Sequence, residues 1–296
     1  MFYLLKTKNK TMKNYIIKTV SITKWTYFSA IIAGLFFTSC EGLIQDIQEE
    51  LQPVVDFIED ISEIQEGLED AMALSEDALT ITLADGSTGY LVGECAVVTH
   101  DENNQLLTID MGTATCTGLN GMERSGKIVI NYIDEEDPDA YSYSIDFQNY
   151  TIGGNTIEGL LTMNKLHRND DGKLEFSEKV ENAKITLSNG KWYSWNSERT
   201  REMKNGENTD NVNDDVFQIA GFFEGVDNEG NVFKSTTEVP ITFLRTCWEQ
   251  GIIYPAIGKT RIEMTGKPTT KIDWGVGCNK RVNILQQGNW LNVELR

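Results

Sequence analysis

The stretch YSYSIDFQ, residues 141–148, decides the fold class. Its large side chains occupy every second position, and they are Tyr141, Tyr143, Ile145 and Phe147. Alternation with a period of two is typical of a β-strand that has one face on a core and the other in water. AKITLS (183–188) and LNVEL (291–295) have the same pattern, so strands extend across most of the chain.

Short turn motifs separate these alternating stretches. They contain Gly, Asn or Asp, which accept the backbone conformations that tight hairpins need, and they are Asp85-Gly86, Gly153-Gly154, Asp171-Gly172, Asn189-Gly190 and Asn228-Glu229-Gly230. No helical pattern lies between the strands, which favours pairing of sequential strands. The sequence therefore predicts a mainly β domain, an antiparallel meander that forms either a sandwich or a curled, partial-barrel sheet.

An acidic segment precedes the strands. Residues 41–77 contain thirteen Asp and Glu and no Lys or Arg, and apolar residues recur at steps of three and four: Ile44, Ile47, Leu51, Val54, Ile58, Ile61, Leu68 and Met72. This spacing predicts an amphipathic helix with a solvated acidic face. Its apolar stripe must be covered by the β-domain or by a partner helix in a coiled coil. We favour the β-domain because Pro53 would disturb a continuous coiled coil.

The N-terminus has the features of an export signal. Six lysines precede the apolar run WTYFSAIIAGLFF (25–37), and Ser39-Cys40 follows it. A basic flank, a short apolar core and a small residue before the cut predict a signal peptide over residues 1–39 with lipid on Cys40. An ordinary signal peptide with an incidental cysteine, or an uncleaved anchor, is the alternative. The chain then divides into residues 1–39 (signal peptide), 40–78 (lipidated acidic helical tether) and 79–296 (all-β domain).

The charge of the mature chain limits its partners. Without the six N-terminal lysines, 20 Lys and Arg remain against 45 Asp and Glu, a formal charge of −25. Such a surface repels nucleic acid and anionic lipid headgroups. We therefore expect no nucleic-acid partner, membrane attachment through the lipid on Cys40 alone, and a monomer.

Four cysteines remain beyond Cys40: Cys95, Cys116, Cys247 and Cys278. In an exported chain an even number predicts two disulfides, and the wide spacing without a C-x₂-C element argues against zinc. The stretches LLTIDMGTATC (106–116) and TTKIDWGVGC (269–278) form a weak internal repeat, each with a cysteine upstream. This symmetry favours the pairs Cys95–Cys116 and Cys247–Cys278.

Several segments together resemble a family of Bacteroidota lipoproteins. They are GECAVVTHD, LLTIDMGTATCTGLNGMERSGKIVINY, SIDFQNYTIGGNTIEG, SERTRE, DDVFQIAG and KIDWGVGCNKRVNI, in this order from about Glu94 to Arg296. Asn120-Gly121 stands where the family usually has Asp-Gly, and Asn279 stands where Asp often follows the cysteine. The resemblance implies a cell-envelope location and an all-β fold, but no activity.

One aromatic cluster is a candidate ligand site. Trp192, Tyr193 and Trp195 follow the Asn189-Gly190 turn, and an exposed ring near Arg199 could stack on a sugar. Tyr193 and Trp195 share one face of the strand and Trp192 lies on the other, and burial in a core is the alternative for each ring. The predicted ligand-binding residues are therefore Trp192, Tyr193, Trp195 and Arg199.

Catalytic and metal motifs are weak. The two histidines, His100 and His167, lie in polar segments, and the abundant carboxylates single out no hydrolase pair. Asn- and Asp-rich segments at 134–139, 169–171 and 208–215 could bind calcium, but polar turns have the same composition. We therefore predict no cofactor, no metal and no catalytic residue. The expected function is that of an outer-membrane lipoprotein acting as a non-enzymatic binding or structural module; glycan binding, an envelope protein partner and a carboxylate hydrolase are the alternatives.

Overall fold

A computed structural model describes residues 30–84, 95–118, 121–134, 141–206, 216–248, 252 and 254–295 of the chain, with residues 30–50 and 80–84 described by backbone alone. The helices are α1 (Ala30–Ala84), a 3₁₀ turn (Glu102–Asn104) and α2 (Arg245–Trp248). The strands are β1 (Val97–Asp101), β2 (Leu106–Asp110), β3 (Cys116–Thr117), β4 (Glu123–Asp134), β5 (Tyr141–Ile152), β6 (Asn155–Arg168), β7 (Leu174–Thr186), β8 (Trp192–Asn205), β9 (Val216–Asp227), β10 (Val232–Thr242), β11 (Ile257–Met264), β12 (Thr270–Val276), β13 (Arg281–Gln286) and β14 (Asn289–Glu294).

The fourteen strands of the described residues all belong to one antiparallel sheet. Its order is that of the sequence, β1-β2-β4 through to β14, with β3 paired to the outer part of β4. The sheet is not closed into a barrel. The prediction of a mainly β antiparallel meander is confirmed, and the strands form an open sheet rather than two stacked sheets.

The chain divides into two compact units, Met1–Leu51 and Gln52–Arg296. The first is described only from residue 30, as helical backbone. The second contains the rest of α1 together with the sheet. The predicted signal peptide lies largely outside the described residues, as does the Asp85-Gly86 turn, and the side chain of Cys40 is not described. Within the described residues, no helix is long and apolar enough to cross a membrane.

The C-terminal part of α1 packs on the inner face of the sheet. Its apolar stripe is buried, with Val54, Ile58 and Leu68 each 1% exposed. The Phe57 ring lies 5.0 Å from that of Phe233 on β10. The helix also approaches β6 closely, because a Cβ added at Gly67 would lie 2.7 Å from Ile157 Cδ1. Burying this stripe stabilises the domain by removing apolar surface from water.

The internal repeat has a structural basis. Asp110 accepts a hydrogen bond from the Gly112 amide at 2.9 Å, and Asp273 accepts one from the Gly275 amide at 3.0 Å. Both glycines have positive φ. The first Asp-x-Gly turns the chain at the end of β2, whereas the second lies within β12, next to a shift in the register with β11. Disulfides link Cys95 to Cys116 and Cys247 to Cys278, the pairing that the repeat favours.

Candidate functional site

The acidic side of α1 is partly buried against basic residues of the sheet, so the prediction of a wholly solvated acidic face is wrong. Asp70 is 6% exposed and pairs with Arg124 of β4. Asp60 is also 6% exposed and accepts hydrogen bonds from Lys191 Nζ at 2.8 Å and from the Tyr193 hydroxyl at 2.5 Å. These partners are distant in the sequence, and Arg124 and Lys191 balance the charge of carboxylates in a segment that has no Lys or Arg of its own.

A four-membered charge cluster lies between the middle of α1 and the sheet. Glu178 of β7 is fully buried and accepts hydrogen bonds from Arg199 Nε at 2.8 Å and Arg201 Nε at 2.7 Å, both on β8. Arg201 also binds Glu69 of α1, and Arg199 Nη1 donates to Gln65 Oε1. Burial raises the pKa of Glu178, but the two guanidinium groups outweigh it and hold the pKa below the ordinary value.

The residues predicted to bind a ligand occupy different environments. Trp195 is 1% exposed, and the ring of Tyr193 is buried against Phe57 of α1. Arg199 is buried in the charge cluster. Trp192 is partly exposed on the opposite face, with Lys184 Nζ 5.5 Å from its ring centroid. The structure therefore places Tyr193 and Trp195 in the core and does not combine the three rings into one stacking platform.

A groove lies between α1 and the inner face of β8–β12. It has about 620 Å³ of empty space, including the part that is open to solvent. Its surface is mainly apolar, lined by Ile58, Ile61, Phe222, Phe223, Ile241, Phe243, Pro255, Ile262, Ile272 and Trp274. The polar contributors are Ser62, Gln65, Arg199, Ser235, Thr237 and Thr260, together with the backbone of Gly221. Mainly apolar concave sites with a few placed polar groups are the usual form of small-molecule sites.

Small residues on the floor create this groove. Gly221 lies opposite Arg199 in the ladder between β8 and β9, and Thr237 lies opposite Thr260 between β10 and β11. Gly221 cannot carry a side chain, because a Cβ there would lie 2.2 Å from the backbone oxygen of Glu198. At these positions the sheet has no large side chain that points toward α1, so the helix and the sheet leave a space between them.

Two groove-lining residues carry unpaired polar atoms. Thr260 Oγ1 and Trp274 Nε1 are buried and have no hydrogen-bond partner among the described residues. A buried donor or acceptor without a partner costs about 1–3 kcal/mol. These two atoms are thus polar positions of the groove that have no partner in the described part of the chain.

Carboxylates with raised pKa values lie on α1 but do not line the groove. Burial, with the negative charges of Asp70 and Glu63, raises the pKa of Glu66 to about 7. Burial also raises the pKa of Glu63, while a hydrogen bond from Asn155 opposes the shift. Among the described residues that line the groove there is no Asp, Glu or His. The perturbed carboxylates are therefore not combined with the concave site, as acid–base catalysis would require.

Of the three segments considered as candidate calcium sites, only 169–171 lies wholly within the described chain. Segment 208–215 lies outside the described residues, as does nearly all of 134–139. In segment 169–171, Asn169 Oδ1 accepts hydrogen bonds from the amides of Asp171 and Lys173, at 3.1 and 3.0 Å, and so forms a polar turn. Within the described ranges, no group of three or more His, Cys, Asp and Glu side chains could hold a metal ion.

Reasoning from the sequence did not identify the groove. Its apolar residues follow the same alternation as the rest of the core, and its small floor residues have no motif. The signal that could have revealed it is the succession of Ser235, Thr237 and Thr260 at inward-facing positions, where large apolar residues occur on neighbouring strands.

Comparison of the chain with protein-family models, with curated proteins and with solved structures finds no match. The groove and the charge cluster are therefore interpreted from their chemistry alone.

Proposed function

We propose that the protein is an outer-membrane lipoprotein, anchored by lipid on Cys40, whose β-domain binds a small, mainly apolar molecule without catalysis. The observation that carries the binding role is the groove between α1 and β8–β12, which is apolar, concave and partly open to solvent. Burial of a ligand's apolar surface there would supply the affinity.

A binding role is favoured over hydrolysis by the position of the acidic groups. Hydrolysis by a carboxylate pair needs both groups at the bound substrate. Glu63 and Glu66 have raised pKa values, but neither lines the groove. Glycan binding is less well supported, because Tyr193 and Trp195 are buried and only Trp192 is available to stack.

The anchor is proposed from the N-terminal sequence, in which Ser39-Cys40 ends the apolar run. Replacing Cys40 with Ala should move the protein from the membrane fraction to the soluble fraction, or leave an unprocessed precursor. If the Cys40→Ala variant still incorporates a fatty-acid probe, the proposed anchor is wrong.

A monomer is proposed because the apolar stripe of α1 is covered by its own sheet. Val54, Ile58 and Leu68 are buried within one chain and need no second copy to cover them. Light scattering of the purified protein should give the mass of one chain, and a stable dimer would contradict the proposal.

The binding role is tested by filling the groove. Thr237 lines the floor, and Thr237→Phe places a ring in the space that a ligand would use. We expect this variant to lose binding of a neutral solvatochromic dye. The matched control is Val232→Phe on the same strand, where the side chain is 58% exposed and outside the groove. Equal dye binding by both variants and the unaltered protein would contradict the proposed site.

A further inference from the structure

Arg199 lines the groove, and its hydrogen bonds leave capacity for a ligand. A guanidinium group carries five N–H donors. Nε and Nη2 of Arg199 donate to Glu178, and Nη1 donates to Gln65. Two N–H groups thus have no acceptor among the described residues, on a side chain that lines the groove.

On β9, the residue opposite Arg199 is a glycine. Gly221 is the partner of Arg199 in the ladder, and it contributes no side chain that would lie between Arg199 and the groove. Further along the floor, the buried hydroxyl of Thr260 also lacks a partner in the described chain. The groove therefore combines apolar walls with polar groups that have unused hydrogen-bonding capacity.

The charge around Arg199 indicates what kind of acceptor fits. Arg199 and Arg201 are matched by Glu178 and Glu69, so the cluster is neutral. An anionic headgroup would add an unbalanced charge at a largely buried position, which is unfavourable. The whole chain also has a formal charge of −19, and its field opposes the approach of anions. A carbonyl oxygen can accept both N–H groups without changing the charge.

We infer that the ligand is a neutral amphiphile, with an alkyl chain in the groove and an ester or amide carbonyl that accepts hydrogen bonds from Arg199. This inference rests on the proposed function and specifies the chemical class of its ligand. A free fatty acid has the same chain with a charged head, and the inference predicts that the protein selects against it.

The test compares three probes that share a ten-carbon chain: methyl decanoate, decanoate and decane. Each displaces the neutral dye from the purified protein at pH 8, where a carboxylic acid is ionised. We expect methyl decanoate to bind roughly tenfold more tightly than either of the others, the gain of a hydrogen bond to a charged group. Tightest binding by decanoate would overturn the inference of a neutral head.

Two matched variants locate the headgroup. Arg199→Lys keeps the charge beside Glu178 but removes the planar array of donors, and it should abolish the advantage of the ester over decane. Arg201→Lys makes the same change two residues along β8, on a side chain that does not line the groove, and should leave the advantage intact. An ester advantage that survives Arg199→Lys would overturn the role of Arg199.

The proposed function and this inference fail in different ways. If all three probes displace the dye equally from the unaltered protein, the groove binds apolar molecules and only the inferred headgroup is wrong. If neither the dye nor any probe binds, the proposed function itself is wrong. The ranking of probes on the unaltered protein remains decisive even if Arg199→Lys fails to fold.

Discussion

Arg124 on β4 and Asp70 on α1 form a buried ion pair that joins the helix to the sheet, with Arg124 Nε donating to Asp70 Oδ2 at 2.8 Å. Their side chains are 2% and 7% exposed, and the Tyr150 hydroxyl donates to the same carboxylate at 3.3 Å. The pair therefore links two elements that are far apart in the sequence. Each of its two buried charges is stabilised by the other.

Removing one member of this pair should destabilise the domain. Asp70→Ala removes the carboxylate that accepts hydrogen bonds from Arg124 Nε and Nη2, and breaking a buried ion pair by removing one partner costs about 3–5 kcal/mol. Urea denaturation should measure this loss. The control is Lys127→Ala, which breaks the exposed pair with Asp110 and should cost much less than Asp70→Ala. A similar loss in the two variants would contradict the importance of burial.

Deleting α1 should expose the inner face of the sheet. A chain that begins at residue 78 lacks the helical residues that cover Phe233 and Tyr193, whereas a chain that begins at residue 41 retains them. We expect the shorter chain to aggregate or to melt at a lower temperature, while the longer chain is monomeric. Equal melting temperatures and equal solubility would show that the helix is only a tether.

The raised pKa of Glu66 predicts a specific pH dependence. The pKa of Glu66 is about 7 in the folded protein, whereas its ordinary value is 4.5. Between pH 4.5 and about pH 7, the folded protein therefore keeps a proton on Glu66 that the unfolded chain has released. The contribution of Glu66 to stability therefore falls as the pH rises from about 4.5 to about 7. Glu178, whose pKa is lowered, acts in the opposite sense. Its contribution to the stability of the protein is lost as the pH falls through its own pKa.

Replacing Glu66 with Gln should remove this dependence. The Glu66→Gln variant should unfold at a higher urea concentration than the unaltered protein at pH 8, and the difference should vanish below pH 4.5. Glu158→Gln, at an exposed position on β6, is the control and should change stability little at either pH. A lower stability of Glu66→Gln at pH 8 would contradict the assigned direction of the pKa shift.

The two tryptophans of β8 should respond differently to truncation. Trp195 is 1% exposed, so Trp195→Ala should cost about 3–5 kcal/mol in the free energy of unfolding. Trp192 is partly exposed and contacts Lys184, and Trp192→Ala should cost much less. Chemical denaturation of both variants measures the difference, and a small effect at Trp195 would contradict its placement in the core.

The strands and the helix could be predicted because each has a local periodic signal. The alternation in 141–148 corresponds to β5, and the apolar steps in the acidic segment correspond to the buried stripe of α1. The turn at Asn189-Gly190 separates β7 from β8 as predicted. These features depend only on neighbouring residues, which a single sequence contains.

The partners of the acidic helix could not be predicted in the same way. Asp70 meets Arg124 at a separation of 54 residues, and Gln65 meets Arg199 at a separation of 134. Alternation along β8 turns Arg199 and Arg201 to the buried face, opposite to their neighbours Glu198 and Glu202. The groove was missed for a related reason, since it depends on how far α1 lies above Gly221 and Thr237.

The placement of α1 also determines the order in which the protein can assemble. The helix precedes every strand in the chain, yet its partners are distributed from β4 to β12. During synthesis or export from the N-terminus, its apolar stripe emerges before the surface that will cover it exists. Since the strands pair with sequence neighbours, hairpins can form early, whereas the helix gains its contacts only after long chain segments close around it. Until then the nascent chain exposes the apolar stripe of α1 to its surroundings. Exposed apolar surface of this kind is where aggregation begins and where chaperones bind.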